Sequence, residues 1–300
     1  MSSLNTTELQ FSNLLPTHFD TLIASWLAED TPAFDVGGYV VGEEQKTAIL
    51  YMKSKGVLAG KPFFDEVFRQ VGGCKVTWHY EEGEYWHEFI EKVPIAKVEG
   101  PARKILLGER VALNALARCS GIATEAHKIR SLADKHGFRG IIAGTRKTTP
   151  GFRLVEKYGM VVGGADTHRM DLSHMVMLKD NHVWSTGSIT KAVEAARKVA
   201  GFSTKIEVEC QSTDDANEAI AAGADIVMLD NMGPETIKTS AQSLKSAWAE
   251  RGKSILVEAS GGITAETAPS YFSPAIDIIS FGSLTQGVSF VDFSLKIQKN

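Results

Sequence analysis

A chain of 300 residues with 43% hydrophobic and 23% charged residues can bury a sizeable core and forms one large or two ordinary domains. Its net charge of -4 argues against a general nucleic-acid binder, which needs a broad basic surface, so any attraction for anions has to be local. Cys74, Cys119 and Cys210 are odd in number and far apart, in no metal-like spacing, which implies no disulfide framework and fits reduced thiols in a cytosolic or nuclear compartment.

The opening stretch, MSSLNTTELQFSNLLP, lacks the basic region and apolar core of a secretory leader and the arginines of a transit peptide. No apolar run approaches the roughly 20 residues needed to cross a bilayer, so the cytoplasm is the expected location. Residues 17–29 read as an amphipathic helix and 30–38 as a loop with Pro32 and the pair Gly37-Gly38. From 46 to 98 the pattern mixes TAILYMKS, PFFDEVFRQVG, CKVTWHY and VPIAKVEG, an α+β layer with an antiparallel sheet. Residues 83–91 (GEYWHEFIE) read as a hairpin connection. Residues 101–119 follow as a helix with Pro101 at its start. Arg103 and Arg110 share one face of it, with Asn114 a turn further on, and composition alone makes that a solvated face. These elements define a first α+β sandwich domain at 1–120, joined by a returning segment at 285–300.

After Gly121 short apolar runs alternate with amphipathic helices. Strands are expected at 140–143, 160–163, 175–179, 205–209, 226–229, 255–258 and 276–281. Helices with Gly stops are expected at 188–200, 213–222 and 234–251, with a short one from Thr264. Such βα repetition means a parallel sheet. Nearly every strand ends in a polar or glycine group: Arg146 and Lys147, His168 and Arg169, Lys179, Glu209, Asp230 and Asn231, Ser260-Gly261-Gly262, then Gly282-Ser283. Contributions from all round a ring favour a barrel over an open sheet, and seven strands with no eighth make it an incomplete one, at 121–284.

The rim these strand ends form carries its own chemistry. Five cationic or ionisable donors at one mouth repel one another unless a ligand with several phosphates or carboxylates binds there. The glycine pairs at 261–262 and the Gly282 turn leave backbone N–H groups open to a phosphate. Glu209 and Asp230 suit sugar hydroxyls, a Mg²⁺ or a developing positive charge, or else simply pair with Lys179 or Arg169. His168, His174, His182, Asp171 and Asp180 match no zinc signature, and Arg169 and Lys179 would compete with a metal. His174 and His182 are taken as structural, and His168 as an anion donor.

The runs GERVALNALARCSGIAT, GTRKTTPGFRLVEKYGMVVGGADTHRMDL, VMLKDNH, IEVEC, AGADIVMLDN and VEASGGIT closely resemble those of the quinolinate phosphoribosyltransferases, the carboxylating nicotinate-nucleotide pyrophosphorylases of NAD synthesis. The resemblance runs from about Trp26 to Asp292 and is nearest to the eukaryotic branch. It implies the type II phosphoribosyltransferase fold and a reaction of quinolinate with phosphoribosyl pyrophosphate to nicotinate mononucleotide, CO₂ and pyrophosphate, with Mg²⁺. It further implies that Arg146, His168 and Arg169 bind the quinolinate carboxylates and that Lys147 and Lys179 lie among the substrate and pyrophosphate contacts. Glu209 and Asp230 would take ribose hydroxyls and metal, while Ser260, Gly261, Gly262 and Gly282 would cradle the 5'-phosphate. Arg110 becomes a site residue contributed across a homodimer interface, and the eukaryotic members suggest a hexamer of three dimers. Gln286 departs from the Lys or His that many bacterial members carry there. Three other readings stay open: a nicotinate phosphoribosyltransferase, a Schiff-base lyase using Lys179, and a non-catalytic anion-binding barrel.

Overall fold

The computed structural model describes residues 10–88 and 91–299. Residues 1–9, part of the stretch read for a leader, and residues 89 and 90, inside the expected hairpin connection, lie outside the described residues. In chain order the elements are α1 (Asp20–Asp30), α2 (Val36–Val41), β1 (Gln45–Met52), β2 (Gly56–Val57), α3 (Lys61–Val71), β3 (Lys75–Trp78), β4 (Tyr85–Trp86), β5 (Val93–Pro101) and α4 (Ala102–Lys135). They continue with β6 (Ile141–Ala143), α5 (Arg153–Val162), β7 (Val176–Leu178), α6 (Asp180–Thr186), α7 (Ile189–Ala200), β8 (Ile206–Cys210) and α8 (Thr213–Ala222). The last are β9 (Ile226–Asp230), α9 (Pro234–Ala249), β10 (Leu256–Ser260), β11 (Ile278–Ser280) and β12 (Phe293–Ile297). Among the described residues no helix is long and apolar enough to cross a membrane.

The chain divides into two compact units, the first made of residues 1–124, 149–163 and 289–300, the second of 125–148 and 164–288. The first is built on an antiparallel sheet in the order β12-β1-β5-β3. Alternation along β1 turns Ala48, Leu50 and Met52 inward, the period-2 signature of a sheet with one buried face. Helix α3 covers that face with a stripe of Phe63, Phe64, Val67, Phe68 and Val71, all buried, the spacing a 3.6-residue repeat demands. The final segment returns to this unit, where Ala48 to Met52 of β1 pair with Ile297 to Phe293 of β12.

Three local expectations need correction. Residues 36–38 are helical, because the Asp35 side chain accepts from the Gly38 N–H at 2.8 Å and caps α2; a capping acid outweighs the two glycines. Helix α4 runs past Gly121 to Lys135. Gly121 is there for packing, since a Cβ would meet the Ser289 carbonyl oxygen at 2.3 Å. Residues 160–162 are not a strand but the last turn of α5. Read from Arg153, the segment RLVEKYGMVV buries Val155, Tyr158 and Met160 on a helical repeat that the short MVV run conceals.

The second unit is an incomplete α/β barrel. Its six parallel strands run in the order β6-β11-β10-β9-β8-β7. A seventh position beside β6 is filled by one residue, Asp166, in a parallel bridge to Ala143. Its N–H donates to the Ile142 carbonyl and its own carbonyl accepts from Gly144, both at 2.8 Å. Between the strands, α7 and α8 start where Ser188 and Ser212 accept from the N–H groups of Lys191 and Asp215, and Gly201 and Gly223 end them at positive φ, as the sequence signals require.

Candidate active site

Period-2 alternation decides what faces the inside of the barrel. On β7 it aligns Met177 with Lys179, on β9 Met228 with Asp230, and on β10 Glu258 with Ser260; all six line one cavity of about 720 Å³. Further lining residues come from the loops that follow the strands, among them Arg146, Lys147, His168, Arg169, Gly261, Gly262 and Gly282. Glu209 from β8 and Ser280 from β11 complete the wall. Every site residue expected from the sequence is therefore gathered here except Arg110, which is exposed on α4 in the other unit.

One side of the cavity is cationic. Arg169 is 8% exposed, and its guanidinium donates to the Met175 carbonyl at 3.2 Å. Burial and the neighbouring Arg146 guanidinium hold Arg169 below its ordinary range, with Glu207 and Asp171 acting against them. The buried Nε of Arg146 makes no hydrogen bond among the described residues. Two guanidiniums that repel each other, one with an unused buried donor, suit an anionic ligand. Lys147 follows Arg146 in the loop after β6, and the Thr285 hydroxyl donates to its carbonyl at 2.6 Å.

Carboxylates line the same cavity. Lys179 is ion-paired with Glu209 on the adjacent strand, so the simple-pairing alternative is realised for that residue. Burial, then the charge of Glu209, raises Asp230, while Lys179 and Asn231 pull it back. His182 accepts the Lys179 N–H on Nδ1 at 3.0 Å, and His174 accepts from Met170 at 3.1 Å; both have the structural part expected of them.

Glycine-lined turns close the cavity's far end. Gly261 sits at φ 100 and Gly262 at φ 61, conformations open to glycine, and both line the cavity. A Cβ at Gly261 would stand 2.5 Å from the Asn231 nitrogen. At Gly282 a Cβ would reach Gln286 Oε1 at 3.2 Å and Lys147 Nζ at 3.5 Å, so Gln286 does occupy the last loop of the cavity.

Beneath the rim lies a cluster the sequence reading did not single out. Glu207 and Glu258 are fully buried, and His168 Nε2 is 3.0 Å from Glu258 Oε2 and 3.7 Å from Glu207 Oε2. Burial and the Glu258 carboxyl beside it push Glu207 well above the usual carboxylate range. The signal was present: IEVEC and LVEAS each carry a glutamate inside a run of buried strand residues, and a buried acid without a structural partner is a functional flag.

Comparison with known proteins adds the following. The family profile "Quinolinate phosphoribosyl transferase, C-terminal domain" matches residues 122–296 and its N-terminal counterpart matches residues 33–120. A protein of Dictyostelium discoideum named nicotinate-nucleotide pyrophosphorylase [carboxylating] is 51% identical over 97% of this chain and 100% of its own length. The Homo sapiens protein of the same name is 50% identical over 95% of this chain and 93% of its own. The structure of the nicotinate-nucleotide pyrophosphorylase from Francisella tularensis superposes with a TM-score of 0.85 at 33% identity, covering 97% of this chain and 99% of that one.

Proposed function

This chain belongs to the quinolinate phosphoribosyltransferase family, and from that premise we propose how its barrel cavity carries out the family's reaction. The enzyme transfers a phosphoribosyl group from phosphoribosyl pyrophosphate to quinolinate with loss of CO₂, giving nicotinate mononucleotide and pyrophosphate in NAD synthesis. The observation that carries the assignment of roles is the mutual opposition of Arg146 and Arg169 within one cavity: two guanidinium forks suit the two carboxylates of a planar diacid.

In this reading Arg146 and Arg169 hold the quinolinate carboxylates, with His168 at the base of the same cluster. Ser260, Gly261, Gly262 and Gly282 take the 5'-phosphate, and Lys147 and Lys179 face the pyrophosphate. The pyridine nitrogen attacks the anomeric carbon while pyrophosphate departs, so positive charge builds on the ribose and negative charge on the leaving group. Lys147 and Lys179 answer the second, Glu209 and Asp230 the first, and no protein nucleophile is required. The N-ribosylated ring is a pyridinium, and its charge stabilises the carbanion left at C2 when CO₂ leaves. The burial of Arg169 in that corner favours that step, because loss of CO₂ disperses the carboxylate charge.

Mg²⁺ fits the donors present. Glu209 and Asp230 offer two rim carboxylates, and the lifting of Asp230 by its neighbour is repulsion that a divalent cation would relieve. Such a sparse set suits a hard ion that keeps water and pyrophosphate oxygens as its other ligands, and the ion would neutralise charge on the leaving pyrophosphate. Arg110, exposed on α4, is offered to the cavity of a second subunit, with the homodimer as the smallest complete unit and a hexamer as its assembly. An exposed apolar surface at Phe34, Val36, Tyr39 and Val40 in the same unit supports an interface there. The cytosol suits its three free cysteines.

A nucleophilic lysine needs its lone pair free, and the Lys179–Glu209 ion pair works against the Schiff-base alternative. The deciding experiment supplies quinolinate, phosphoribosyl pyrophosphate and Mg²⁺ and follows CO₂ and nicotinate mononucleotide. Product from quinolinate and none from nicotinate is the expected result; equal use of nicotinate would replace this reading.

A further inference from the structure

We infer that Glu258 is a positioning residue of the quinolinate corner: it fixes the ring of His168, and through that ring the stance of Arg169. His168 stands at φ 55, a left-handed conformation that side chains other than glycine rarely adopt without support. Three contacts supply the support. The His168 N–H donates to Asp166 Oδ1 at 2.6 Å, Nδ1 accepts from the Arg169 N–H at 2.8 Å, and Nε2 meets Glu258 Oε2 at 3.0 Å.

These contacts settle the tautomer. A ring nitrogen that accepts a backbone N–H carries no proton, so the imidazole proton is on Nε2 and is donated to Glu258. Both nitrogens are then engaged inside the protein. His168 has no ring N–H left for a substrate carboxylate, which narrows the anion-donor role expected of it. Instead the ring ties the loop between Asp166 and Arg169 to β10, which lies beyond β6 and β11 in the sheet order. Arg169, with its amide held by the ring and its guanidinium by the Met175 carbonyl, keeps little freedom to swing out of the cavity.

A cation held by His168, Glu207 and Glu258, whose ligand atoms lie within 4.8 Å of one another, is the competing use of this cluster. It would need the Nε2 lone pair that the tautomer withholds.

The test has two arms, of which only the kinetic one rests on the quinolinate reading. In ¹⁵N-imidazole NMR of the wild-type enzyme, with His168 assigned by its loss in His168→Gln, the expected pattern is a protonated Nε2 and an acceptor Nδ1, unchanged by added quinolinate. An Nδ1–H tautomer, or metal found by elemental analysis together with a metal-bound Nε2, overturns the inference. In kinetics, Glu258→Ala should raise KM for quinolinate about tenfold, the loss of one charge-assisted hydrogen bond, while KM for phosphoribosyl pyrophosphate stays within about twofold. Glu258→Gln, whose carbonyl can accept the same Nε2–H, should recover most of that loss. Equal rises in both KM values, or a Gln variant as impaired as Ala, overturn it. Should Glu258→Ala fail to fold, the Gln variant and the NMR pattern still decide. A wild-type enzyme inert to quinolinate rejects the functional reading alone, because the tautomer is read without turnover.

Discussion

Lys179 and Glu209 are ion-paired across the neighbouring strands β7 and β8 at the barrel mouth. The pair sits where the leaving pyrophosphate and the charging ribose would meet. On the proposed reading each member would answer one pole of the transition state, and in the ion pair each neutralises the other. Lys179→Met should lower kcat/KM for phosphoribosyl pyrophosphate by about 2.7 to 4 kcal/mol, the cost of one preorganised electrostatic contact. It also leaves Glu209, whose side chain is only 10% exposed, without its cation beside Asp230. Steady-state kinetics against each substrate checks this; a variant with wild-type kcat/KM would remove Lys179 from the mechanism.

Arg146 and Arg169 make the opposite kind of pair. Their charges repel in the free enzyme, which is part of why Arg169 is held below its ordinary range. Arg146→Ala should cost about 2 to 4 kcal/mol in kcat/KM, yet the Tm of the unliganded protein should not fall, since a repulsion is lost along with the function. Thermal unfolding with and without quinolinate separates the two effects: the ligand-induced rise in Tm disappears while the baseline holds. A lower baseline would mean that Arg146 supports the fold.

Gly261 and Gly262 are adjacent but not equivalent. At Gly261, φ 100 and a Cβ position 2.5 Å from the Asn231 nitrogen leave no room for a side chain, because a backbone atom cannot step aside. At Gly262, φ is 61 and nothing lies within 4 Å of a Cβ, so alanine meets only the cost of a left-handed residue, about 1 to 2 kcal/mol. Gly261→Ala should raise KM for phosphoribosyl pyrophosphate more than Gly262→Ala does. Kinetics of the two variants side by side tests the cradle; equal effects would place the phosphate elsewhere.

What was legible in the sequence was the rim. Apolar strands that stop at Arg146, Lys179, Glu209 and Asp230 report their own ends, and in a parallel barrel the ends share one mouth. Less legible was anything carried by period within an element. Glu207 stands two residues before Glu209 on one face of β8, inside the apolar run rather than at its end. The run at 160–162 was too short to distinguish a strand from a last helical turn, and the true seventh position is the single bridge of Asp166. Contacts between distant residues left no trace at all: Arg118 donates to Glu156, which also accepts from the Thr149 N–H and hydroxyl. No local pattern announces a pair 38 positions apart.

Glu82 in the first unit gives a pH test of stability that is independent of the active site. Its carboxylate accepts from the N–H groups of Gly60 at 2.6 Å and Lys61 at 3.1 Å, at the N-terminus of α3, where a negative charge is normally favoured. Burial nevertheless wins and pushes it up from 4.5 to about 7. A carboxyl whose value is raised in the folded state binds its proton more tightly there than in the unfolded chain. Its contribution to stability is therefore complete below about 4.5 and is lost as the pH climbs to about 7. A shift of this size corresponds to about 3 kcal/mol across that window. Glu82→Gln is neutral throughout, so urea unfolding of the two proteins should diverge as pH rises. The variant gains on the wild type by about that amount, and groups titrating elsewhere cancel in the difference. Parallel stability curves between pH 4.5 and 7 would show that burial does not raise the Glu82 carboxyl in the folded protein.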